Sequence, residues 1–337
     1  MPLTDYLSQA PPLHDKSHTG IAGEASESLE RGPFQALSWP LPVSIKTRNG
    51  LSLFLLLVTI GWLWQPLAAL YSLTQEHPYS HYSHIPLIPW VSVYVFYLNR
   101  KAILASWEWS PLPGLLLVGL GAIGYWLADP VAYGADHLSL TILALVVASW
   151  GIFLFCYGLR TCRTFSFGLL FLLCMVPLPA GLLHTIIVFL QRSSSELTDI
   201  GFSLLGVPVI RDGFVFVLSN VAIHVAEGCS GILSTLSLSI TSIVAGHFFL
   251  RSVWGKLGIV AVVVPIAIIK NAVRIVVISL LGNYVDPSFV TNGVLHDFIG
   301  LPLFGLSVVI LISLVWLLRR FEQRHGYYPP DGLRAKL

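Results

Sequence analysis

Charged residues are scarce in this chain of 337 residues. Only 11% of them are Asp, Glu, Lys or Arg, whereas a soluble globular protein carries about 25%. This scarcity excludes a cytosolic enzyme and a disordered regulator. An excess of either charge is also lacking, because 19 basic residues stand against 17 acidic ones, so the net charge does not favour a nucleic acid as partner. The four cysteines are too few for a disulfide framework in a chain of this length.

Hydrophobic residues, in contrast, make up 55% of the chain, and the mean hydropathy is +0.76. A bilayer core about 30 Å thick is crossed by roughly 20 helical residues, and most of the apolar runs reach that length. The runs cover residues 51–73, 85–99, 112–128, 138–158, 165–180, 230–250, 257–281 and 298–318. We therefore predict an all-α polytopic membrane protein with about eight transmembrane helices, in contact with membrane lipids.

The polar residues outside these runs predict the domain organisation and the orientation. Residues 1–48 are rich in Pro, Ser, His and Glu and predict a flexible tail, which leaves residues 49–337 as the membrane domain. Lys and Arg concentrate in cytoplasmic segments. If the N-terminus is cytoplasmic and eight spans follow, 15 of the 19 Lys and Arg residues lie on the cytoplasmic side. We therefore expect both termini, and the tail, in the cytoplasm.

One segment predicted on the outer side, residues 181–228, is too long for a simple loop and too mixed for a span. Between Leu183 and Leu204, apolar residues recur at steps of three and four, which predicts an amphipathic helix lying along the outer interface. Residues 207–226 are rich in β-branched and aromatic residues and are interrupted by Gly213 and Asn220. This pattern predicts a small β-hairpin that leads to Cys229.

Three reactive side chains fall on the outer side of the predicted topology. Cys229 begins the sixth span, and His296 lies in the last outer loop. Arg274 lies 17 residues into the seventh span, about 25 Å from its cytoplasmic end at the helical rise. A thiol at a helix N-terminus near a cation has a lowered pKa. His296 can then act as general base and acid, and Arg274 can stabilise the thiolate or an oxyanion.

Each of these three residues also has an ordinary structural interpretation. A cysteine at a helix end often serves only in packing, and a loop histidine is usually just solvated. An arginine in the outer third of a span can extend its guanidinium to the lipid headgroups. Their shared position on one side of the membrane favours a joint function, although other polar residues share that side.

An ordered set of motifs strengthens the functional interpretation, and it resembles that of the exosortases and archaeosortases, which are polytopic membrane cysteine peptidases or transpeptidases. The resemblance runs from about residue 80 to residue 318. The motifs are Tyr82-Ser83-His84, Met175-Val176-Pro177-Leu178-Pro179, Val207 to Gly213, Val225 to Ile232 around Cys229, Asn271-Ala272-Val273-Arg274-Ile275, and Leu295-His296-Asp297 with Gly300 following.

The resemblance implies that Cys229 is the nucleophile and that Arg274 and His296 are its catalytic partners. It implies substrates of the PEP-CTERM type, which are exported proteins ending in a Pro-Glu-Pro-like motif, a transmembrane helix and a basic cluster. Cleavage would occur at the outer face of a bacterial cytoplasmic membrane, without a cofactor. The recognised motif and the acceptor, water or an amine, stay open.

Several further polar residues are candidates for supporting roles. His84 can line the substrate cleft or anchor its loop, and Asn271 can hydrogen-bond across helices. Glu227 can cap the helix that follows Cys229 or orient His296. His224 is a rival general base, and Lys270 is expected to have an inter-helix partner. No His-Glu-x-x-His motif and no paired cysteines are present, so no metal is predicted.

Two other functions remain open at this point. In the first, a transporter or channel, Lys270 and Arg274 would line a permeation path, although the chain shows no internal repeat. In the second, the chain would be an inactive scaffold for the assembly of polysaccharide or another part of the envelope.

The predicted orientation is tested with a thiol reagent that cannot cross the membrane. In intact cells, Cys229 should be the one cysteine of the four that reacts from outside, and it should react faster than a free thiol at neutral pH. Labelling is measured by mass spectrometry of the isolated chain. The absence of outside labelling at Cys229 would contradict the topology.

Overall fold

A computed structural model of the chain defines the fold. It describes residues 44–75, 82–101, 110–131, 135–226, 230–291 and 293–325, with the backbone alone at 129–131, 135, 291 and 293–298. Contacts between Cα atoms divide the chain between Ser44 and Ile45, and residues 45–337 form one compact unit. Most of the predicted tail, residues 1–48, lies outside the described residues. Its last residues, from Ile45, are already helical.

Helices dominate the described residues, as predicted. They are α1 (Ile45–Trp62), α2 (Trp64–Gln75), α3 (Leu87–Leu98), α4 (Pro111–Val131), α5 (Ala135–Thr164), α6 (Ser166–Phe171), α7 (Ala180–Leu204), α8 (Ile232–Phe249), α9 (Val253–Tyr284), α10 (Ser288–Thr291) and α11 (Gly293–Arg324). A 3₁₀ turn, Leu172–Met175, continues α6. The strands are β1 (Ile210–Asp212), β2 (Val215–Val217) and β3 (Ala222–His224).

Each of the eight apolar runs contains helical structure, but the runs differ in length. Among the described residues, α4, α5, α8, α9 and α11 are each long and apolar enough to cross a membrane. Two bent pairs, α1 with α2 and α6 with α7, raise the possible number of spans to seven, and α3 is a shorter apolar helix. The all-α polytopic architecture is therefore confirmed, with five to seven candidate spans and one shorter helix.

The predicted fifth span and the predicted amphipathic helix form one bent pair. The helical part of the run 165–180 ends at Met175, and the chain then turns by 85° into α7. Pro177 and Pro179 lie in the turn, where their missing N–H groups break no helical hydrogen bond. The bend explains why this run is too short to cross a bilayer as a single straight helix.

The buried face of α7 differs from the apolar stripe that predicted it. Ile187 and Leu190 are buried, but Ile200 and Leu204 are 54% and 82% exposed. Several polar residues are buried instead: Gln191, Ser194, Ser195 and Thr198. The face that α7 turns toward the protein is therefore partly polar. One of its residues, Gln191, donates a hydrogen bond to the Val225 carbonyl beyond the sheet.

The predicted hairpin is a three-stranded antiparallel sheet in the order β1-β2-β3. Gly213, with φ +58°, lies between β1 and β2, in a conformation that glycine adopts without steric cost. At the next turn, the Asn220 backbone N–H donates to Asn283 Oδ1 at 2.9 Å, and Asn220 Nδ2 donates to the Asn283 carbonyl at 2.9 Å. These bonds attach the sheet to the C-terminal end of α9.

Helix α9 contacts α7, α8 and α11 and is central to the second half of the chain. The two residues that lead into it are held by Glu322 of α11, which is 3% exposed. The Glu322 carboxylate accepts the backbone N–H groups of Arg251 at 2.9 Å and Ser252 at 3.0 Å. A carboxylate on N–H groups at a helix N-terminus makes strong, charge-assisted hydrogen bonds. Contacts at both ends thus fix α9 against its neighbours.

Candidate active site

Arg274 lies in the last third of α9 and lines a cavity of about 100 Å³. Two other polar side chains line it, Asn271 on the same helix and His224 at the end of β3. The remaining lining residues are apolar: Ile223, Val225, Ile275, Ile278 and Val290. A guanidinium in a small cavity with mostly apolar walls interacts strongly with any negative charge that enters, because the local dielectric is low.

The chain on both sides of Cys229 is held in place. Cys229 and Glu227 themselves lie outside the described residues. On the N-terminal side, Val225 donates its backbone N–H to the Phe214 carbonyl at 2.9 Å. Its own carbonyl accepts from Gln191 Nε2 of α7 at 2.8 Å. These two bonds fix Val225, four residues before the predicted nucleophile Cys229.

On the C-terminal side, Gly231 caps helix α8 in the left-handed conformation, with φ +80°. Its carbonyl accepts from the backbone N–H of Thr235 at 3.0 Å and from the hydroxyl groups of Thr235 and Ser234, both at 2.9 Å. The residue that follows Cys229, Ser230, is 1% exposed. The segment that follows Cys229, residues 230–232, is therefore buried and hydrogen-bonded to the first turn of α8.

Gly231 also lies against helix α9. A Cβ atom placed on Gly231 would lie 3.2 Å from Cγ of Asn271 and 3.3 Å from its Oδ1. The Asn271 amide thus lies directly against the Gly231 backbone. Because Asn271 precedes Arg274 by three residues, the two share one side of α9. Gly231 contacts α9 at Asn271, and Arg274 lies about one helical turn further along the same helix.

Gly300 places α11 against Arg274. A Cβ atom on Gly300 would lie 3.2 Å from Cζ of Arg274 and 3.3 Å from both Nε and Nη2. Position 296 precedes Gly300 by four residues in the continuous helix α11, so the two positions share one helical face. The structure therefore places position 296 on the face of α11 that meets Arg274.

His296 was expected in a loop, and this expectation is wrong. The predicted loop Asn283–Asp297 is largely helical: α9 continues to Tyr284, α10 covers Ser288–Thr291, and α11 begins at Gly293. The residues from Val294 to Ile299 include no glycine or proline, so nothing in the sequence ends the helix before His296. The side chain of His296 is outside the described part of the structure.

His84 lies in a different cavity. This cavity, of about 470 Å³, separates α3 from α8, and its polar lining residues are Ser83, His84, Ser237 and Thr241. Neither Arg274 nor Asn271 lines it. The structure thus brings Asn271, Arg274 and the rival base His224 to one cavity and leaves His84 out of it.

Two residues of the site, Gln191 and Ser234, were not singled out from the sequence, whereas Gly300 belongs to the motif quoted around His296. Gln191 left a signal, because it is a polar residue one position after Leu190 on the buried side of α7. Gly300 follows His296 at the spacing of one helical turn. Ser234 left none, since serines recur throughout α8. Among the described residues, no group of three or more His, Cys, Asp or Glu side chains could hold a metal ion.

The fold and this site define a multi-pass membrane protein in which an arginine of a long apolar helix faces a small cavity. Residues 75–313 match the family described as Transmembrane exosortase. Since the match covers more than half of the chain, the chain belongs to the transmembrane exosortase family. This family has a transpeptidase-type role in the membrane and acts on exported proteins with C-terminal signals. The searches of curated proteins and of solved structures found no match.

The contact between Gly300 and Arg274 yields a prediction. Gly300→Leu should displace the guanidinium and lower the rate of substrate processing about 10²-fold, because a shift of about 1 Å in a catalytic group can cost that much. Gly300→Ala should have a smaller effect, since a flexible side chain can give by a few tenths of an ångström.

Gly305→Leu is the matched control, because a Cβ atom on Gly305 meets nothing within 4 Å. The rate is measured on a co-expressed exported substrate, with each variant extracted at the wild-type level. Equal rates for Gly300→Leu and Gly305→Leu would contradict the assigned position of Arg274.

Proposed function

We propose that this chain is a cysteine peptidase or transpeptidase that cleaves PEP-CTERM-type sorting signals from exported proteins. Cys229 is the nucleophile, His296 the general base and acid, and Arg274 the group that stabilises negative charge. The observation that carries this proposal is the position of Arg274. Its side chain touches Gly300, one turn along α11 from position 296, and its helix touches Gly231, two residues from Cys229.

The reaction follows from ordinary acyl-transfer chemistry. His296 takes the proton from Cys229 Sγ, and the sulfur attacks the carbonyl carbon of the scissile peptide bond. The carbonyl oxygen becomes an oxyanion, which the Arg274 guanidinium stabilises. When the intermediate collapses, the C–N bond breaks, and His296 gives its proton to the leaving amine. A thioester on Cys229 remains, and water or an acceptor amine resolves it.

The setting of the cavity supports stabilisation by Arg274. Five of its eight lining residues are apolar: Ile223, Val225, Ile275, Ile278 and Val290. In such surroundings a fixed cation is worth more to a developing negative charge than it is in water. An arginine in this place therefore suits a reaction whose intermediate carries an oxyanion.

The proposed place of cleavage is the outer face of the cytoplasmic membrane. It rests on the distribution of Lys and Arg, which favours cytoplasmic termini and the start of α8 outside when the two bent pairs and α3 each cross the bilayer, for eight spans in all. A substrate whose own transmembrane helix crosses the same bilayer would present its short sorting motif at the headgroup level. Cys229, predicted at the outer end of its span, and the sorting motif of such a substrate would therefore lie at the same depth in the bilayer.

His224 is a second candidate for the general base within the same mechanism. The specific observation in its favour is that it lines the cavity with Arg274. Position 296 is favoured because it lies in a helix that contacts Arg274 directly through Gly300. In this mechanism, replacing His296 stops proton transfer, whereas replacing His224 leaves it intact.

The proposed function is tested by replacing the nucleophile. Cys229→Ala and Cys229→Ser should both abolish processing of a co-expressed substrate that carries a sorting motif, a transmembrane helix and a basic cluster. Serine fails because its hydroxyl ionises far less readily than a thiol. Processing is followed as a mass shift of the substrate on a gel and by mass spectrometry of its new C-terminus.

Cys156→Ala, Cys162→Ala and Cys174→Ala are the matched controls, and each should leave processing unchanged. Full processing by Cys229→Ala would refute the proposal. An inactive scaffold or a transporter would show no processing in the wild-type chain either.

A further inference from the structure

Lys270 is a buried cation for which the proposed mechanism has no use. It lies in the middle of α9 and is 9% exposed. A lysine at such a position in a membrane helix costs free energy relative to an apolar residue. A charge kept at this cost marks a candidate functional residue, so its contacts decide whether it has a role.

Lys270 is linked through Ser234 to the backbone of Gly231, two residues after Cys229. Its Nζ donates a hydrogen bond to Ser234 Oγ. The same hydroxyl donates to the Gly231 carbonyl at 2.9 Å. Ser234 therefore passes a single chain of two hydrogen bonds from the ammonium of α9 to the backbone that follows Cys229. A charged donor strengthens such a chain, because it polarises the hydroxyl that donates onward.

Gly231 begins the hydrogen bonding of α8. It is left-handed, with φ +80° and ψ 11°, and its carbonyl accepts the backbone N–H and the hydroxyl of Thr235 as well as the Ser234 hydroxyl. Two consecutive residues of α9 act on Gly231. Lys270 acts through Ser234, and the Asn271 side chain lies against the Gly231 backbone, with its Cγ 3.2 Å from where a Cβ atom would stand. Arg274 lies one turn further along the same helix.

We propose that Lys270 is a positioning residue that, through Ser234 and the Gly231 carbonyl, holds the backbone two residues after Cys229 against the helix that carries Arg274. This inference rests on the proposed function. Lys270 and Arg274 lie on one helix, so the bond from Lys270 to Ser234 fixes the start of α8 relative to the helix that carries the oxyanion-stabilising group. Positioning of this kind acts on the transition state and hence on kcat.

The experiment replaces each end of the hydrogen-bond chain. Lys270→Met and Ser234→Ala should each lower kcat about 10- to 100-fold with KM unchanged. Because both act through the same bonds, the double variant should lose no more than either single variant. Lys256→Met is the matched control, since Lys256 lies near the start of the same helix, about four turns from Lys270, and it should keep wild-type kcat.

A purely structural role predicts a different result. Methionine is apolar and of similar length, so Lys270→Met should insert and remain folded at least as well as the wild type. A loss of thermal stability in step with kcat would assign Lys270 to packing and overturn the proposal. Unchanged kcat, or losses that add in the double variant, would also overturn it. If Lys270→Met is not produced, Ser234→Ala alone decides, through its kcat and its melting temperature.

The two proposals fail in distinguishable ways. If Cys229→Ala still processes substrate, the nucleophile itself is wrongly assigned. If Cys229→Ala is inactive but Lys270→Met and Ser234→Ala keep wild-type kcat, the cysteine mechanism stands and the positioning role is refuted.

Discussion

The guanidinium of Arg274 lies against the backbone of Gly300, and the site is built around this contact between α9 and α11. It favours a residue without a side chain on α11, because even a methyl group would come within 3.3 Å of three guanidinium atoms and displace them by a few tenths of an ångström. At the centre of a span an arginine costs about 2.5–3.5 kcal/mol on insertion scales, and Arg274 lies nearer the end of α9. Two polar side chains, Asn271 and His224, line the same cavity as its guanidinium.

The elements around α9 restrict where the proposed nucleophile can lie. Gln191 of α7 holds the segment before Cys229, and Gly231, Ser234 and Asn271 hold the segment after it. At the opposite end of α9, Glu322 ties the two residues that precede the helix to α11. Together these contacts make α9 the rigid reference for the site, which suits a reaction whose rate depends on small displacements.

Depth along the membrane normal was predicted from apolar run lengths and from the positions of Lys and Arg, and it stays a prediction. The structure brings Arg274 to one cavity with Asn271 and His224, which the sequence offered only as candidates for supporting roles. Lateral position could not be inferred in the same way. His84 shares the predicted outer side with Arg274, yet it lies in another cavity between α3 and α8, since two loops on one side of a membrane need not be neighbours.

Local signals also failed where tertiary packing decides. The polar buried face of α7 was hidden in a stripe of leucines and isoleucines, because periodicity reports amphipathicity but not which face meets the protein. The expected loop at His296 is helical because no residue in that stretch breaks a helix. By contrast, Pro177 and Pro179 marked the end of the short fifth run, and the structure turns there by 85°.

The most direct measurement is the covalent intermediate. Purified wild-type chain is mixed with a substrate peptide, quenched in acid within one turnover, and digested for mass spectrometry. The account predicts that the N-terminal part of the substrate is attached to Cys229 as a thioester, which hydroxylamine removes. An active preparation in which the substrate fragment is attached to another residue, or in which no adduct forms at Cys229 at any time, would contradict it.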